Sequence, residues 1–190
     1  LGRFIARIHA VGGLEPFRRR PPIDVASFGR QPCAYVLEHA FVPEELRATY
    51  ASVVEDVLER VERAYERAGG VRAIRLHGDC HAGNILWTAE GPHFVDLDDA
   101  RMGPALQDLW MWLAGDRETM QAQLAAVIEG YREFNDFNAG ELWLVEALRT
   151  LRLIHYSYWV ARRWDDPAFP AAFPWFGPHR YWQDRILELK

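Results

Sequence analysis

Residues 75–99, RLHGDCHAGNILWTAEGPHFVDLDD, decide how the rest of the chain is read. The stretch scans as strand, tight loop, strand, turn, strand, with polar residues gathered where the strands end. His77-Gly78-Asp79 is followed by Asn84, five positions after Asp79. An apolar pair, Phe94-Val95, then delivers Asp96, with Asp98 and Asp99 just beyond. Gly78 lets the backbone turn sharply before Asp79. Gly91-Pro92 marks the turn between a strand over 84–87 and a strand over 93–96.

Outward from this stretch the pattern is helical. Residues 1–11 place Phe4, Ile5, Ile8 and Val11 on one helical face, ended by Gly12-Gly13. Residues 14–42 are loop-rich, broken by Pro16, Pro21, Pro22 and Pro32. Within them Arg18-Arg19-Arg20 reads as a solvated loop, with a phosphate or acidic-peptide contact as the other reading. Cys33–His39 fits a short helix or a short strand. Pro43-Glu44-Glu45 opens a long helix, since Pro suits the first turn and acidic side chains suit the positive end of the helix dipole. Its apolar stripe runs from Leu46 to Tyr65, and Gly69-Gly70 ends it. Ala73–Leu76 is strand-like.

After Asp99, Gly103-Pro104 signals a loop, and Leu109–Leu113 is an apolar helical segment stopped by Gly115. Asp116 is a candidate N-cap for a helix reaching about Phe134. A further helix spans about 140–164, with Leu142, Val145, Leu148, Leu151, Ile154, Tyr158 and Ala161 in register. The aromatic residues at 110, 112, 143, 156, 158, 159 and 164 read mainly as core. Four prolines, at 167, 170, 174 and 178, predict an extended arm closed by a short helix near 179–189. The expected fold is mostly α with a small β-hairpin inserted.

Composition narrows the function. The 190 residues are 49% hydrophobic with a net charge of −5, which fits a globular domain and argues against nucleic acid as a partner. No apolar run reaches the roughly 18 residues a membrane span needs. Cys33 and Cys80 lie in no CxxC pattern and read as two free thiols in a reducing compartment. The chain begins at Leu1, inside an apparent helix, which fits the middle of a longer protein.

The carboxylates carry the chemistry. Phosphoryl transfer needs the phosphate, Mg²⁺ and the attacking hydroxyl held in line, with little covalent help from the protein. Mg²⁺ takes oxygen ligands, usually one or two carboxylates plus phosphate oxygens and waters. Asp96 at a strand end suits that task. Asn84 adds a neutral amide oxygen without piling charge beside ATP. Asp79, in the loop between strands, can take the proton of the substrate hydroxyl. His77 reads as a brace for this loop. A lone Asp-x₄-Asn is an ordinary turn feature; His-Gly-Asp, Asn at that spacing and a strand leading into Asp together are much rarer. His77, Cys80 and His81 suggest zinc only weakly, because no further ligand pair follows at suitable spacing.

HGDCHAGNILW followed by FVDLDDARMGPALQDLW resembles the aminoglycoside phosphotransferase/choline kinase superfamily, which has a protein-kinase-like fold. Within it the nearest group is the bacterial stress-response Ser/Thr protein kinases. LGRFIARIHAVG resembles their helix after the interlobe hinge, and ARRWDDPAFPAAFPWFGPHRYW resembles their tail. The resemblance implies Asp79 as the catalytic proton acceptor and Asn84 and Asp96 as Mg²⁺ ligands. Asp98 and Asp99 would lie near the site without primary roles. Asp108 would support the loop after the metal-binding strand.

It further implies an ATP- and Mg²⁺-dependent, cytoplasmic enzyme, monomeric and not membrane-bound, that phosphorylates a protein Ser/Thr hydroxyl. A small-molecule kinase acting on an aminoglycoside, choline or homoserine is the alternative, since the three side chains serve either acceptor. A non-catalytic binding lobe or pseudokinase is the second alternative, disfavoured by intact Asp79, Asn84 and Asp96. The family's N-terminal lobe carries an ATP-covering loop and a phosphate-contacting Lys. Here the single Lys is Lys190. Residues 1–190 therefore correspond to the C-terminal, catalytic lobe, with the main ATP contacts expected elsewhere. On their own they are expected to turn over ATP poorly or not at all.

Overall fold

The helical periodicity of the sequence is realised in the structure, a computed structural model describing Leu1–Lys190. In chain order it runs α1 (Gly2–Gly12), a π-helical segment (Val25–Arg30), α2 (Gln31–Glu38), α3 (Glu44–Ala68), β1 (Ile74–Leu76), β2 (Ile85–Thr88), β3 (Gly91–Phe94), β4 (Arg101–Gly103), α4 (Gln107–Trp110), α5 (Arg117–Tyr131), α6 (Val145–Ala161), α7 (Ala168–Ala172) and α8 (His179–Leu189). Short 3₁₀ turns occupy Ala82–Asn84, Leu97–Asp99 and Ala139–Leu144. The chain divides into two compact units, one of Leu1–Ile23 and Arg67–Val145, the other of Asp24–Glu66 and Glu146–Lys190. No helix is long and apolar enough to cross a membrane.

The first unit holds both sheets. β2 and β3 form the expected hairpin, antiparallel with Ile85 opposite Phe94 and Thr88 opposite Gly91. A second antiparallel pair joins β1 to β4, with Leu76 opposite Arg101 and Ile74 opposite Gly103. The residues of β4 read as loop in the sequence, because a three-residue strand beside Gly103-Pro104 carries no alternation to detect. Helix α1 packs on α5 and β1, but not through the face its large residues suggest. Gly2, Ile5, Ala6, His9 and Gly12 are buried, while Ile8 and Val11 are 37% and 61% exposed. Close approach decides this. A side chain at Gly2 would run into the Val127 carbonyl of α5, and one at Gly12 into the Arg75 carbonyl of β1. The small residues therefore face inward.

The second unit is helical. Asp24 caps the π-helical segment by accepting from the Ser27 N–H at 2.7 Å, and α2 continues directly from it. Residues 25–32 are thus helical rather than loop, and the Cys33–His39 stretch is the helix rather than the strand of its two readings. Pro32 falls in the first turn of α2, where a missing N–H costs nothing. Along α3, Tyr50, Val54, Leu58 and Val61 are buried as the stripe requires. They share the unit with Leu148, Leu151, Ile154 and Val160 of α6, and with Phe176 and Trp182. Tyr50 meets Trp182 edge to face at 5.3 Å.

Other boundaries differ from expectation. The segment after Asp108 is helical only to Trp110, and the helix expected from about 140 begins at Val145 after a 3₁₀ turn that leaves Leu142 41% exposed. The proline-rich tail folds into α7 and turns instead of lying extended, and α8 closes it as predicted. The seven aromatic residues read as core are half-buried or exposed, and several stack on one another: Trp159 packs on Tyr156, Phe169 and Phe173, with Arg163 4.5 Å above its ring. The fully buried rings are instead Tyr50, Tyr131, Phe176 and Trp182. Cys33 and Cys80 are free and buried; burial pushes the Cys33 thiol up to about 11 and the Cys80 thiol higher still.

Asp116 caps α5 through the Thr119 N–H at 2.8 Å, a bond that holds its carboxyl below the ordinary value of 3.8. Its stabilisation is therefore present above that value and lost as pH falls below it, through the depressed value of the folded state. Asp116→Ala is expected to lower the denaturation midpoint at pH 7 and to differ less from the parent at pH about 3 and below. Urea titrations at both pH values check this.

Candidate active site

β1 ends at Leu76, and the chain turns through His77 and Gly78 into Asp79. Gly78 adopts φ +86, a left-handed conformation, and a Cβ there would collide with the Asp99 carbonyl. Two neighbouring residues of α4 hold this turn. The buried Asp108 carboxylate accepts from the His77 N–H at 2.8 Å and the Gly78 N–H at 2.9 Å. Gln107 Nε2 donates to the Gly78 carbonyl at 2.9 Å. Asp108 thus supports the loop before Asp79, not the loop after β3 that the resemblance suggested. The His77 ring reaches the Val95 carbonyl at 2.8 Å, so His77 is a brace, as its sequence context implied.

Asn84 stands at the mouth of the hairpin. Its Nδ2 donates to the Asp79 backbone carbonyl at 3.0 Å and lies 3.4 Å from the Asp79 carboxylate. Its own carbonyl accepts from the Val95 N–H at 3.0 Å, which ties the residue before Asp96 to the same cluster. The structure therefore brings Asp79, Asn84 and the Val95–Asp96 step together. Asp79 keeps 19% of its side-chain surface exposed, open to an incoming group, and His81 Nε2 lies 3.4 Å from its carboxylate.

Asp96 sits two residues past the end of β3, not on the strand. It adopts φ 61 and ψ 70, a left-handed geometry that Asp tolerates better than most residues. The turn after it is held from elsewhere. Arg20 Nη1 donates to the carbonyls of Leu97, Asp98 and Ala100 at 3.4, 2.5 and 2.9 Å. The solvated-loop reading of the 18–20 run fails for Arg20. Asp98 is exposed, and Asp99 pairs with Arg101 at 3.1 Å.

No three His, Cys, Asp or Glu side chains gather around one point to hold a metal. The available donors are the exposed Asp96 carboxylate and Asn84 Oδ1, left over because Nδ2 serves Asp79. One carboxylate and one neutral oxygen suit a hard divalent cation that takes its remaining ligands from phosphate and water. Cys80 is buried and His77 points at Val95, so neither offers a ligand for zinc.

Sequence reasoning gave no role at the site to Arg20, Gln107 and His9, and weighed His81 only as a weak zinc ligand. Arg20 was hidden in an ordinary basic run. Gln107 adjoins Asp108, and His9 shares the spacing of Gly2, Ile5 and Gly12. Those positions are the only signals the sequence carried for them.

A family model described as phosphotransferase enzyme family matches residues 1–155. Among curated relatives, the chain is 44% identical over 183 residues to stress response kinase A of Salmonella choleraesuis and to serine/threonine protein kinase RdoA of Salmonella typhimurium. It is 43% identical over 182 residues to stress response kinase A of Escherichia coli K12. Each alignment covers 96% of this chain and 55% of the relative, so the chain spans about half the length of the curated relatives it matches. Among solved structures, it resembles amicoumacin kinase hAmiN in complex with AMP-PNP, Ca²⁺ and Ami, with a TM-score of 0.65, 14% identity and coverage of 100% of this chain and 61% of that one. It also resembles choline kinase from Cryptosporidium parvum Iowa II, with a TM-score of 0.62, 14% identity and coverage of 99% and 62%. At that identity the likeness speaks to fold, which is kinase-like.

Gly78→Ala forces both a strained φ and a backbone collision. It is expected to reduce stability by about 1–3 kcal/mol in chemical denaturation. An unchanged midpoint would mean that the turn relaxes at no cost.

Proposed function

The chain belongs to the phosphotransferase enzyme family, and on that premise we propose that it is the catalytic lobe of an ATP- and Mg²⁺-dependent kinase phosphorylating Ser/Thr hydroxyls of proteins in the cytoplasm. The observation that carries this reading is the bond pattern of Asn84. One amide joins the Asp79 loop through Nδ2, and the backbone of the same residue joins the Asp96 loop through Val95. On this reading a base and a cation site would stand side by side. The protein acceptor is favoured by the relatives at 43–44% identity, whose names are those of a stress response kinase and a serine/threonine protein kinase.

In this mechanism Asp79 orients the acceptor hydroxyl and takes its proton as the oxygen attacks. The Asn84 Nδ2 beside it restrains the carboxylate, and the Asp108 grip on the preceding amides sets its direction. Asn84 Oδ1 and Asp96 would hold the cation, which when bound offsets charge on the transferring phosphate. Arg20 fixes the backbone that aims Asp96. The remaining nucleotide contacts fall to parts of the longer protein, consistent with the share of the relatives that these residues span.

The test uses the whole protein. Asp79→Asn is expected to lower kcat by a factor of about 10²–10⁴ with nucleotide affinity little changed. Wild-type turnover in that variant rejects the mechanism. Asp96→Asn is expected to weaken Mg²⁺-dependent nucleotide binding by about tenfold or more, read by titration calorimetry with and without the cation. Labelled phosphate transferred to choline, homoserine or an aminoglycoside, and not to protein, would overturn the acceptor assignment while leaving the chemistry standing.

A further inference from the structure

We propose that His81 is a positioning residue for Asp79: its ring, seated on the Gly83 N–H, turns Nε2–H onto the Asp79 carboxylate and, together with Asn84, fixes how that carboxylate meets the acceptor hydroxyl. The proposal rests on the reading of Asp79 as the base and goes beyond it by naming what orients the base.

His81 is the N-cap of the 3₁₀ turn Ala82–Asn84. Its Nδ1 accepts from the Gly83 N–H at 3.0 Å. A backbone N–H can only donate, so Nδ1 carries no proton in this geometry, and the ring proton of the neutral imidazole resides on Nε2. Nε2 lies 3.4 Å from Asp79 Oδ2. The same oxygen stands 3.4 Å from Asn84 Nδ2. Two N–H groups borne by different residues therefore meet on one carboxylate oxygen. A single donor leaves a carboxylate free to swing, whereas two donors anchored at different backbone positions restrict its rotation.

The seat of the ring is built by the backbone. The His81 N–H donates to the Asp79 carbonyl at 2.9 Å, and the His81 carbonyl accepts from the Asn84 N–H at 3.0 Å. His81 is thus tied by its main chain to the base and to Asn84 before its side chain acts. Gly83 completes the seat. A Cβ there would stand 2.8 Å from His81 Cε1 and 3.0 Å from Nδ1, so a side chain at 83 would push the imidazole away. The contact with Asp79 is partly open to solvent, with side-chain exposures of 38% and 19%, and such a contact adds little to stability. Its effect falls on the direction of Asp79, where a small misplacement of a reacting group costs rate.

The two ring nitrogens can be replaced one at a time in the whole protein. His81→Asn keeps an acceptor where Nδ1 sits and has nothing at Nε2. His81→Gln keeps a donor where Nε2 sits and lacks the acceptor. His81→Asn is expected to retain the parent's denaturation midpoint, to leave KM for ATP within about twofold and to lower kcat by about threefold to thirtyfold. His81→Gln is expected to recover at least about half of the lost log kcat. In a double-mutant cycle, adding His81→Asn to Asp79→Asn should cost less than about twofold of the residual kcat. The ring-nitrogen NMR shifts of His81, assigned by their loss in either variant, should be those of the Nε2–H tautomer.

Parent kcat in His81→Asn overturns the proposal. So does an equal loss in the Asn and Gln variants, which would assign the effect to something other than a donor at Nε2. An undiminished cost of His81→Asn in the Asp79→Asn background shows that His81 acts on another group, and also overturns it. A proton on Nδ1 excludes the Gly83 bond and overturns it by a measurement that needs no turnover. Parent turnover in Asp79→Asn refutes the base assignment itself, whereas an impaired Asp79→Asn with no coupling to His81 refutes the role of His81 alone.

Discussion

The buried carboxylate of Asp108 is the constraint on which the candidate site depends. Its two oxygens hold consecutive backbone amides, those of His77 and Gly78, and the ring of His9. A buried charge is tolerable only when its hydrogen-bonding capacity is met, and here one backbone turn supplies most of it. The relation runs both ways. The turn can adopt its left-handed step at Gly78 because Asp108 and Gln107 take up its N–H and carbonyl. Asp108 can stay buried because that turn points two amides at it.

The loop bearing Asp96 is organised differently. It has no buried anion at its centre. An arginine from outside the loop, Arg20, binds the Leu97, Asp98 and Ala100 carbonyls, and the β1–β4 pair closes the loop at its base. The Asp79 loop leaves β1 and the Asp96 loop enters β4, so both spring from one short ribbon. Asn84 then joins them at their tips through its side chain and backbone. Two small structural elements, a pair of three-residue strands and a hairpin of four-residue strands, are thus tied together by polar contacts in addition to the burial of Ile74, Leu76 and Ile85.

Much of this was readable beforehand, and the exceptions have physical causes. α3 and the cap at Asp116 follow from periodicity and dipole chemistry; the hairpin lies where two strands were expected, but its turn is Ala89-Glu90, and Gly91-Pro92, read as the turn, open β3 instead. Asp79 and Asn84 stand where their spacing implied, while Asp96 lies beyond its strand in a conformation that no pattern of side chains encodes. The inward face of α1 was misjudged because apolar size was taken as the guide. At Gly2 and Gly12 backbone proximity excludes a side chain, and the larger Ile8 and Val11 turn outward. His9, Arg20 and Gln107 escaped notice because each acts on backbone groups or partners far away in sequence, and single-residue context is silent about such pairs. The aromatic residues of α6 and the tail misled in the opposite sense, packing ring on ring near the surface instead of filling a centre.

Both cysteines of this chain are enclosed, and burial raises each thiol far above neutral pH. The thiolate is the nucleophile that attacks electrophilic labels, so at neutral pH neither side chain competes for them while the protein is folded. A single cysteine placed on an exposed position would therefore accept a fluorophore or spin label selectively, without prior replacement of the native pair. The same enclosure makes thiol titration a sensitive gauge of integrity, since Cys80 directly follows Asp79 and becomes reactive only when that loop opens.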